Sequence, residues 1–516
     1  MSSVMVIRRG MEVLCAMFGA LLLASSSYAQ ACPQVRIRNP DGNYIIPGAH
    51  GNIPYAGNLA LDAYVQRDGI RRPSIIVIHG GAWSSGSRVA HVGQILEVLT
   101  RAGYNWFSVD YRLGGLAHHE DALTDLRSAL SFIRCRAKEF GVDPNRLVVL
   151  GEDSGADLAA LLAAARPPGV IGAVLLGGLY QATRVPAVGI PDLLAVHGGS
   201  DDEAPVEKAR RSCDEAIKAG ARCRFVEAEG ASHRIENWWP TQWSYKRELV
   251  DWLSALTHLT AGYEPRSGAV RKDILYSASA QLKLDAFVPR SAKSVPAVIV
   301  VHGGGWEAGD KVTYVTPLFE PLARAGFAWF SIDYRLTPAH TNEDQLEDVR
   351  QAIRFVRAEH ARFNVDPNRI VLLGESASGQ IVTQVAADEK SIAGVVSFYG
   401  VYDFPAMVTD ASPRSLLVRL FRRTTLDDES RGVLRRYSPQ YSAHSGMPAV
   451  LLVNGTAERL WSQAQGFSRR LSEIGVPYEL ITLEGAPHGL ENWEGHPEWM
   501  FYKKRLTEWI ARVVTR

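Results

Sequence analysis

Residues 373–379 read Leu-Gly-Glu-Ser-Ala-Ser-Gly, a serine among small residues after an apolar run. A buried strand, a sharp turn and then a helix would lift the Ser376 hydroxyl clear of the chain, where it can attack a carbonyl carbon. The stretch departs from Gly-x-Ser-x-Gly at Ser378, which is still small and precedes Gly379. Upstream, residues 302–306 read His-Gly-Gly-Gly-Trp. Glycines let backbone N–H groups turn inward toward a developing oxyanion. Gly303 or Gly304, with Ala377, are the expected donors. Downstream, His488 in Glu-Gly-Ala-Pro-His-Gly-Leu is the expected base. A neutral imidazole takes the serine proton and later delivers it to a leaving alcohol. Glu458 is the expected acid that orients it, with Asp403, after an earlier strand, as the alternative.

The chemistry is written twice. His79-Gly80-Gly81-Ala82-Trp83 precedes His302-Gly303-Gly304-Gly305-Trp306 by 223 residues, and Asp110-Tyr111-Arg112 precedes Asp333-Tyr334-Arg335 by the same 223. A long gapless match of this kind marks an internal repeat. In that register Asp153 stands where Ser376 does, within Gly151-Glu152-Asp153-Ser154-Gly155. Asp201 matches Glu458, His233 matches His488, and Gly80 and Gly81 keep the glycine loop. Three roles are open to this degenerate or second site. Asp153 pairs with His233 as a buried ion pair, Asp153 acts as a nucleophile itself, or Ser154 acts after a one-residue slip.

Elements must hold these residues over one edge. Short β-branched runs bounded by glycine (74–78, 147–150, 297–301 and 370–373) read as buried parallel strands. Between them lie stretches with apolar residues three and four apart, at 121–140 and 342–363, which read as helices. Alternating strands and helices predict two tandem α/β domains, each a mostly parallel sheet covered by helices on both faces. The expected boundaries are a first domain over 30–258, a linker over 259–270 and a second domain over 271–516. The second carries an insertion near 406–437, which is either a lid over the site or an inert surface addition.

The 516 residues are 46% hydrophobic and 22% charged, enough for two large cores. A net charge of +1 gives no reason to expect a nucleic-acid partner. Arg8 and Arg9, the apolar run 13–24 and Ser27-Tyr28-Ala29 read as a cleavable signal peptide over 1–29. Twin-arginine export and lipid attachment at Cys32 are minority alternatives. The expected location is therefore secreted or periplasmic, without a membrane-spanning helix. Cys32, Cys135, Cys213 and Cys223 remain after cleavage, and Cys213 with Cys223, flanking a helix-to-strand turn, is the favoured pair. Trp238, Trp239 and Trp493 follow the histidines and either stack on sugar rings or pack the last helix. No metal or nucleotide motif occurs, so no cofactor is expected.

Together these motifs resemble the esterase and lipase branch of the α/β-hydrolase superfamily that carries an HGGGW loop. The likeness extends to feruloyl-esterase-like, acetyl-xylan-esterase-like and hormone-sensitive-lipase-like carboxylesterases. It covers about residues 55–252 and 276–509. It implies ester hydrolysis through an acyl-enzyme, on a small-molecule or polysaccharide-linked ester. A non-catalytic binding protein on the same scaffold and a serine peptidase are the rival readings.

Overall fold

The computed structural model describes residues 49–66, 68–88, 92–178, 191–235, 238, 242–261, 268–389, 391–494, 496 and 499–515. The expected signal segment 1–29, Cys32, Trp239 and the middle of the expected linker lie outside the described residues. The apolar runs form two eight-stranded sheets. In the first, β1 (Ala49–Ala56), β2 (Leu59–Tyr64), β3 (Arg72–Ile78), β4 (Asn105–Val109), β5 (Val142–Glu152), β6 (Val170–Leu176), β7 (Asp192–Gly198) and β8 (Cys223–Ala228) take the order β1-β2-β4-β3-β5-β6-β7-β8. The second holds β9 (Gly268–Ser277), β10 (Leu282–Pro289), β11 (Val295–Val301), β12 (Ala328–Ile332), β13 (Val365–Glu375), β14 (Gly394–Phe398), β15 (Ala449–Gly455) and β16 (Tyr478–Leu483). Its order, β9-β10-β12-β11-β13-β14-β15-β16, is the same. β2 and β10 are antiparallel to both neighbours, and every other pairing runs parallel.

Parallel strands need crossovers, and helices provide them on both faces. The strand residues therefore sort by alternation. Ile75 and Val77 enter one core while Ile76 and Ile78 enter the other. Val298 and Val300 likewise part from Ile299 and Val301. This double burial is why the strands read as unbroken apolar runs. Two expectations shift at their edges. The helix expected over 121–140 runs His119–Cys135, and that over 342–363 runs Asn342–Ala358. β9 begins at Gly268, ahead of the expected domain start at 271. Cys213 and Cys223 form a disulfide with Cα atoms 5.5 Å apart, and Cys135 is disulfide-bonded as well. Among the described residues no helix is long and apolar enough to cross a membrane.

The two sheets are tied by a reciprocal set of buried charges. Lys246, in the helix Gln242–Thr257, reaches Glu320 in the helix Thr316–Arg324 at 2.6 Å. Lys503, in the helix Phe501–Val513, reaches Glu97 in the helix Gly93–Arg101 at 3.3 Å. Glu97 and Glu320 share the 223-residue spacing, so each half offers the other the same carboxylate. Removing one partner of a buried pair strands the other's charge, at about 3–5 kcal/mol. Lys246→Met should therefore lower the denaturation midpoint sharply. Lys246→Met combined with Glu320→Leu should recover much of that loss, because it also removes the buried carboxylate that the single variant leaves to Arg324 alone. Equal midpoints for the single and double variants would contradict this.

Candidate active site

β13 ends at Glu375 and the helix Ala377–Asp388 begins two residues later. Ser376 between them has φ 55° and ψ −116°, a conformation that only a tightly supported turn imposes on a residue with a side chain. The support is steric. A Cβ on Gly374 would lie 2.3 Å from the Ser378 carbonyl oxygen, and one on Gly379 2.7 Å from the Gly400 Cα. Ser378 replaces a glycine at no loss, because its Oγ donates to the Val301 carbonyl at 2.6 Å and accepts from the Glu375 amide at 2.7 Å.

The three expected residues meet. Ser376 Oγ lies 2.8 Å from His488 Nε2, and His488 Nδ1 lies 2.6 Å from Glu458 Oε2. This geometry puts the imidazole proton on Nδ1, facing the carboxylate, and leaves Nε2 to accept from the serine. Glu458 is fully buried at its side chain, whereas that of His488 is 38% exposed. The site is thus open on the side of the base. Asp403 is turned elsewhere: its carboxylate accepts from the Ala406 amide at 3.1 Å and from Tyr441.

The glycine loop narrows the two expected donors. A Cβ on Gly303 would sit 1.9 Å from Glu375 Oε2, so this position is packed against that carboxyl. The first sheet shows which amides face the nucleophile position. There Gly81 N and Ala82 N donate to Asp153 Oδ2 at 2.7 and 2.9 Å. At the 223-residue spacing their counterparts are Gly304 and Gly305, and Ala377 is the counterpart of Ser154. Gly80 corresponds to Gly303 and likewise abuts Glu152, at 2.2 Å from a built Cβ.

Asp153 keeps the elbow conformation, with φ 51° and ψ −122°. Its Oδ1 lies 3.4 Å from His233 Nε2, and His233 Nδ1 lies 2.8 Å from Asp201 Oδ2. His197 Nε2 also reaches Asp201, at 3.0 Å. Burial raises the Asp153 carboxyl, but the bond to His233 and the loop amides outweigh it and bring it down to about 2. Burial lowers His233, but the bonds to Asp153 and Asp201 carry it up to about 9. The depressed carboxyl contributes stability above its ordinary 3.8, lost as pH falls toward 2. The raised imidazole contributes stability below its ordinary 6.5, lost as pH climbs through about 9. The stability gap between wild type and Asp153→Asn should therefore be widest from about pH 4 to 6.5 and close toward both extremes. Urea denaturation across that range measures it, and a flat gap would contradict the pairing.

Several supporting residues carry no local signature in the sequence. Tyr399, just past β14 at φ 37°, packs its ring 4.4 Å from that of His488 and accepts from the Leu490 amide at 2.7 Å. Asn454, in β15, donates to Glu458. Glu375 is raised to about 8 by burial and by nearby Glu491, so at neutral pH it is an uncharged acid under the glycine loop. Trp238 and Trp493 are packing residues. Both are fully buried, and their indole N–H groups donate to Ser232 and Pro487 carbonyls at 2.6 and 2.7 Å. Each clamps its histidine loop. The repeated Glu-Asn-Trp after each histidine was the available signal.

The insertion is anchored beside the glycine loop. Its helices Leu416–Phe421 and Asp428–Arg436 bury Leu417, Leu420 and Leu434 in the core that holds Trp306. Phe404 bridges Trp306 and Phe421, with ring centroids 5.5 and 5.4 Å away. Arg419 pairs with Glu307, next to Trp306.

The strand order, the one strand in each sheet that runs antiparallel to both its neighbours and the strand–elbow–helix turn define two units of the α/β-hydrolase fold. The chain belongs to the BD-FAE family, whose model matches residues 61–170 and 284–472, more than half of its length. It is similar to Esterase LipC of Mycobacterium tuberculosis, 29% identical over 248 residues, which cover 44% of this chain and 61% of that protein. It is also similar to the isoprenylcysteine alpha-carbonyl methylesterase ICME of Arabidopsis thaliana, 27% identical over 247 residues, 43% of this chain and 58% of that protein. The chain thus spans less than two thirds of either relative. A truncated form of a carbohydrate esterase from gut microbiota superposes with a TM-score of 0.44 and 22% identity, over 49% of this chain and 99% of that one.

Proposed function

We propose that the chain is a carboxylic-ester hydrolase that works through an acyl-enzyme on Ser376. The observation that carries this reading is the continuous line from Ser376 Oγ to His488 Nε2 at 2.8 Å and from His488 Nδ1 to Glu458 at 2.6 Å. Ser376 Oγ adds to the ester carbonyl while His488 Nε2 takes its proton. Glu458 stabilises the imidazolium, and the Gly304, Gly305 and Ala377 amides receive the oxyanion. His488 then protonates the leaving alcohol. Water repeats the sequence on the acyl-enzyme and frees the acid. The esterase names of the relatives support the same chemistry.

The substrates proposed are acetyl or feruloyl esters of plant polysaccharides, or short-chain esters. The insertion over 406–437 borders the acyl or alcohol pocket, since it leans on the residues that follow the glycine loop. Arg419→Ala should raise KM several-fold for longer esters and leave kcat nearly unchanged. A shift in kcat alone would place the insertion away from substrate. The protein is read as secreted or periplasmic, and a disulfide between Cys213 and Cys223 suits such a compartment. Mass spectrometry of exported protein should find Gln30 as its first residue.

Initial rates on p-nitrophenyl acetate, longer p-nitrophenyl esters, methyl ferulate and a peptide anilide test the activity. Ester turnover without anilide cleavage is expected. No turnover of any ester would overturn the reading in favour of a binding protein, and preferential anilide cleavage would favour a peptidase.

A further inference from the structure

We infer that the first unit holds a hydrolase site complete but for its nucleophile and closed by the side chain in that place, the Asp153 carboxylate standing where a reacting ester would stand. One carboxylate oxygen, Oδ2, lies on the Gly81 and Ala82 amides at 2.7 and 2.9 Å. That is the place of an oxyanion. The other, Oδ1, faces His233 Nε2 at 3.4 Å, the place of the attacking or leaving oxygen. Behind it the His233–Asp201 contact at 2.8 Å is intact. The arrangement copies the acid product of ester hydrolysis, tethered to the backbone and unable to leave.

Three observations separate this from the rival roles. Both oxygens of Asp153 are engaged, and its negative charge is already met by two amides and His233. A carboxylate so stabilised is a poor nucleophile. Ser154 is fully buried, with its Oγ accepting from the Trp83 amide at 3.1 Å, so it does not replace residue 153. The side chains of Asp153 and His233 are 11% and 7% exposed, against 38% for His488, so this site is much less open than the second.

Everything but the nucleophile remains. The backbone angles at Asp153 differ by only a few degrees from those at Ser376, so a serine fits the same elbow. Removing the carboxylate frees the Gly81 and Ala82 amides. It also leaves His233 with Asp201 as its one carboxylate partner and returns the ring toward a neutral base. The introduced hydroxyl then adds to an ester carbonyl as its proton passes to His233 Nε2. That proton goes to the departing alkoxide, and water releases the acid from the acyl-enzyme.

The test uses the full chain with the second site silenced. Ser376→Ala, Ser376→Ala with Asp153→Ser, and that pair with His233→Ala are assayed with p-nitrophenyl acetate and with diethyl p-nitrophenyl phosphate. Expected is a gain of at least about 100-fold in ester turnover for the second chain over the first. Phosphorylation should map to residue 153, and both effects should vanish in the third chain. A second chain that melts like the first and takes up no phosphate overturns the inference. Wild-type protein supplies an independent reading. The His233 ring, beside Asp153, Asp201 and His197, should stay doubly protonated by NMR to about pH 9. A neutral ring at pH 7, or alkylation of Asp153 by an epoxide or bromoalkane probe, overturns the inference even if the variants fail to fold.

Discussion

Replacing Ser376 by alanine is expected to lower kcat for p-nitrophenyl acetate by at least about 10⁴-fold, while Asp153→Ala keeps most of the wild-type rate. The asymmetry follows from what each side chain touches. Ser376 Oγ is the one hydroxyl 2.8 Å from His488 Nε2, on a turn that holds it there. Without it the amides of the glycine loop still bind the carbonyl, but no covalent intermediate forms and water must attack directly. The fold should survive, because Ser376 is only half-buried and alanine removes no internal hydrogen bond apart from the one to His488. Asp153 belongs to another sheet, and its partners Gly81, Ala82 and His233 take no part in the site around Ser376. Its removal should cost stability in the first unit and leave the Ser376 reaction alone. Stopped-flow burst amplitudes with p-nitrophenyl acetate measure the competent sites directly. Equal losses in the two variants would mean that the first unit turns over substrate itself.

Gly304→Ala should lower kcat by about 100- to 1,000-fold, whereas Gly305→Ala should lose no more than about tenfold. Both sit at positive φ, but their surroundings differ. A Cβ on Gly304, at φ 97°, would lie 2.0 Å from the Ala308 carbonyl oxygen, a backbone atom that cannot step aside without moving the loop. The 304 and 305 amides would then swing off the oxyanion position. Gly305, at φ 63°, has no atom within 4 Å of its Cβ direction. Its counterpart Ala82 already carries a side chain at φ 51° and still donates to Asp153. Only the modest strain of a left-handed alanine remains. The ratio of kcat for the two variants measures the effect, and melting curves separate loop displacement from unfolding. Equal losses would mean that Gly304 and Gly305 are not the oxyanion donors.

Much of the site was legible because it is local. The elbow around Ser376, the His302–Trp306 loop and the segment ending at His488 are each contained within a handful of residues. Their order along the chain matches the order of strand ends in a parallel sheet. The choice between Glu458 and Asp403 was harder. Both follow strands, and only the loop after β15 turns its carboxylate toward His488. The choice between Gly303 and Gly304 stays open in the sequence because three adjacent glycines look alike there. Which amide faces the nucleophile depends on how the loop packs against the buried Glu375 carboxyl, which abuts Gly303. Tyr399 and Asn454 carry no such signal because one lies just past β14 and the other in β15, with no spacing to the others that a linear reading detects.

The sequence by itself determined the fold class, the repeated motifs and the chain order of serine, acid and histidine. These rest on apolar periodicity and on small residues at turns, which act within one element. Tertiary structure alone decided which amides the glycine loop offers, that Trp238 and Trp493 clamp loops from inside, and where the Asp153 carboxylate goes. Those outcomes depend on backbone directions and burial set jointly by strands far apart in the chain. Interactions between such distant groups are settled only when the whole sheet has packed.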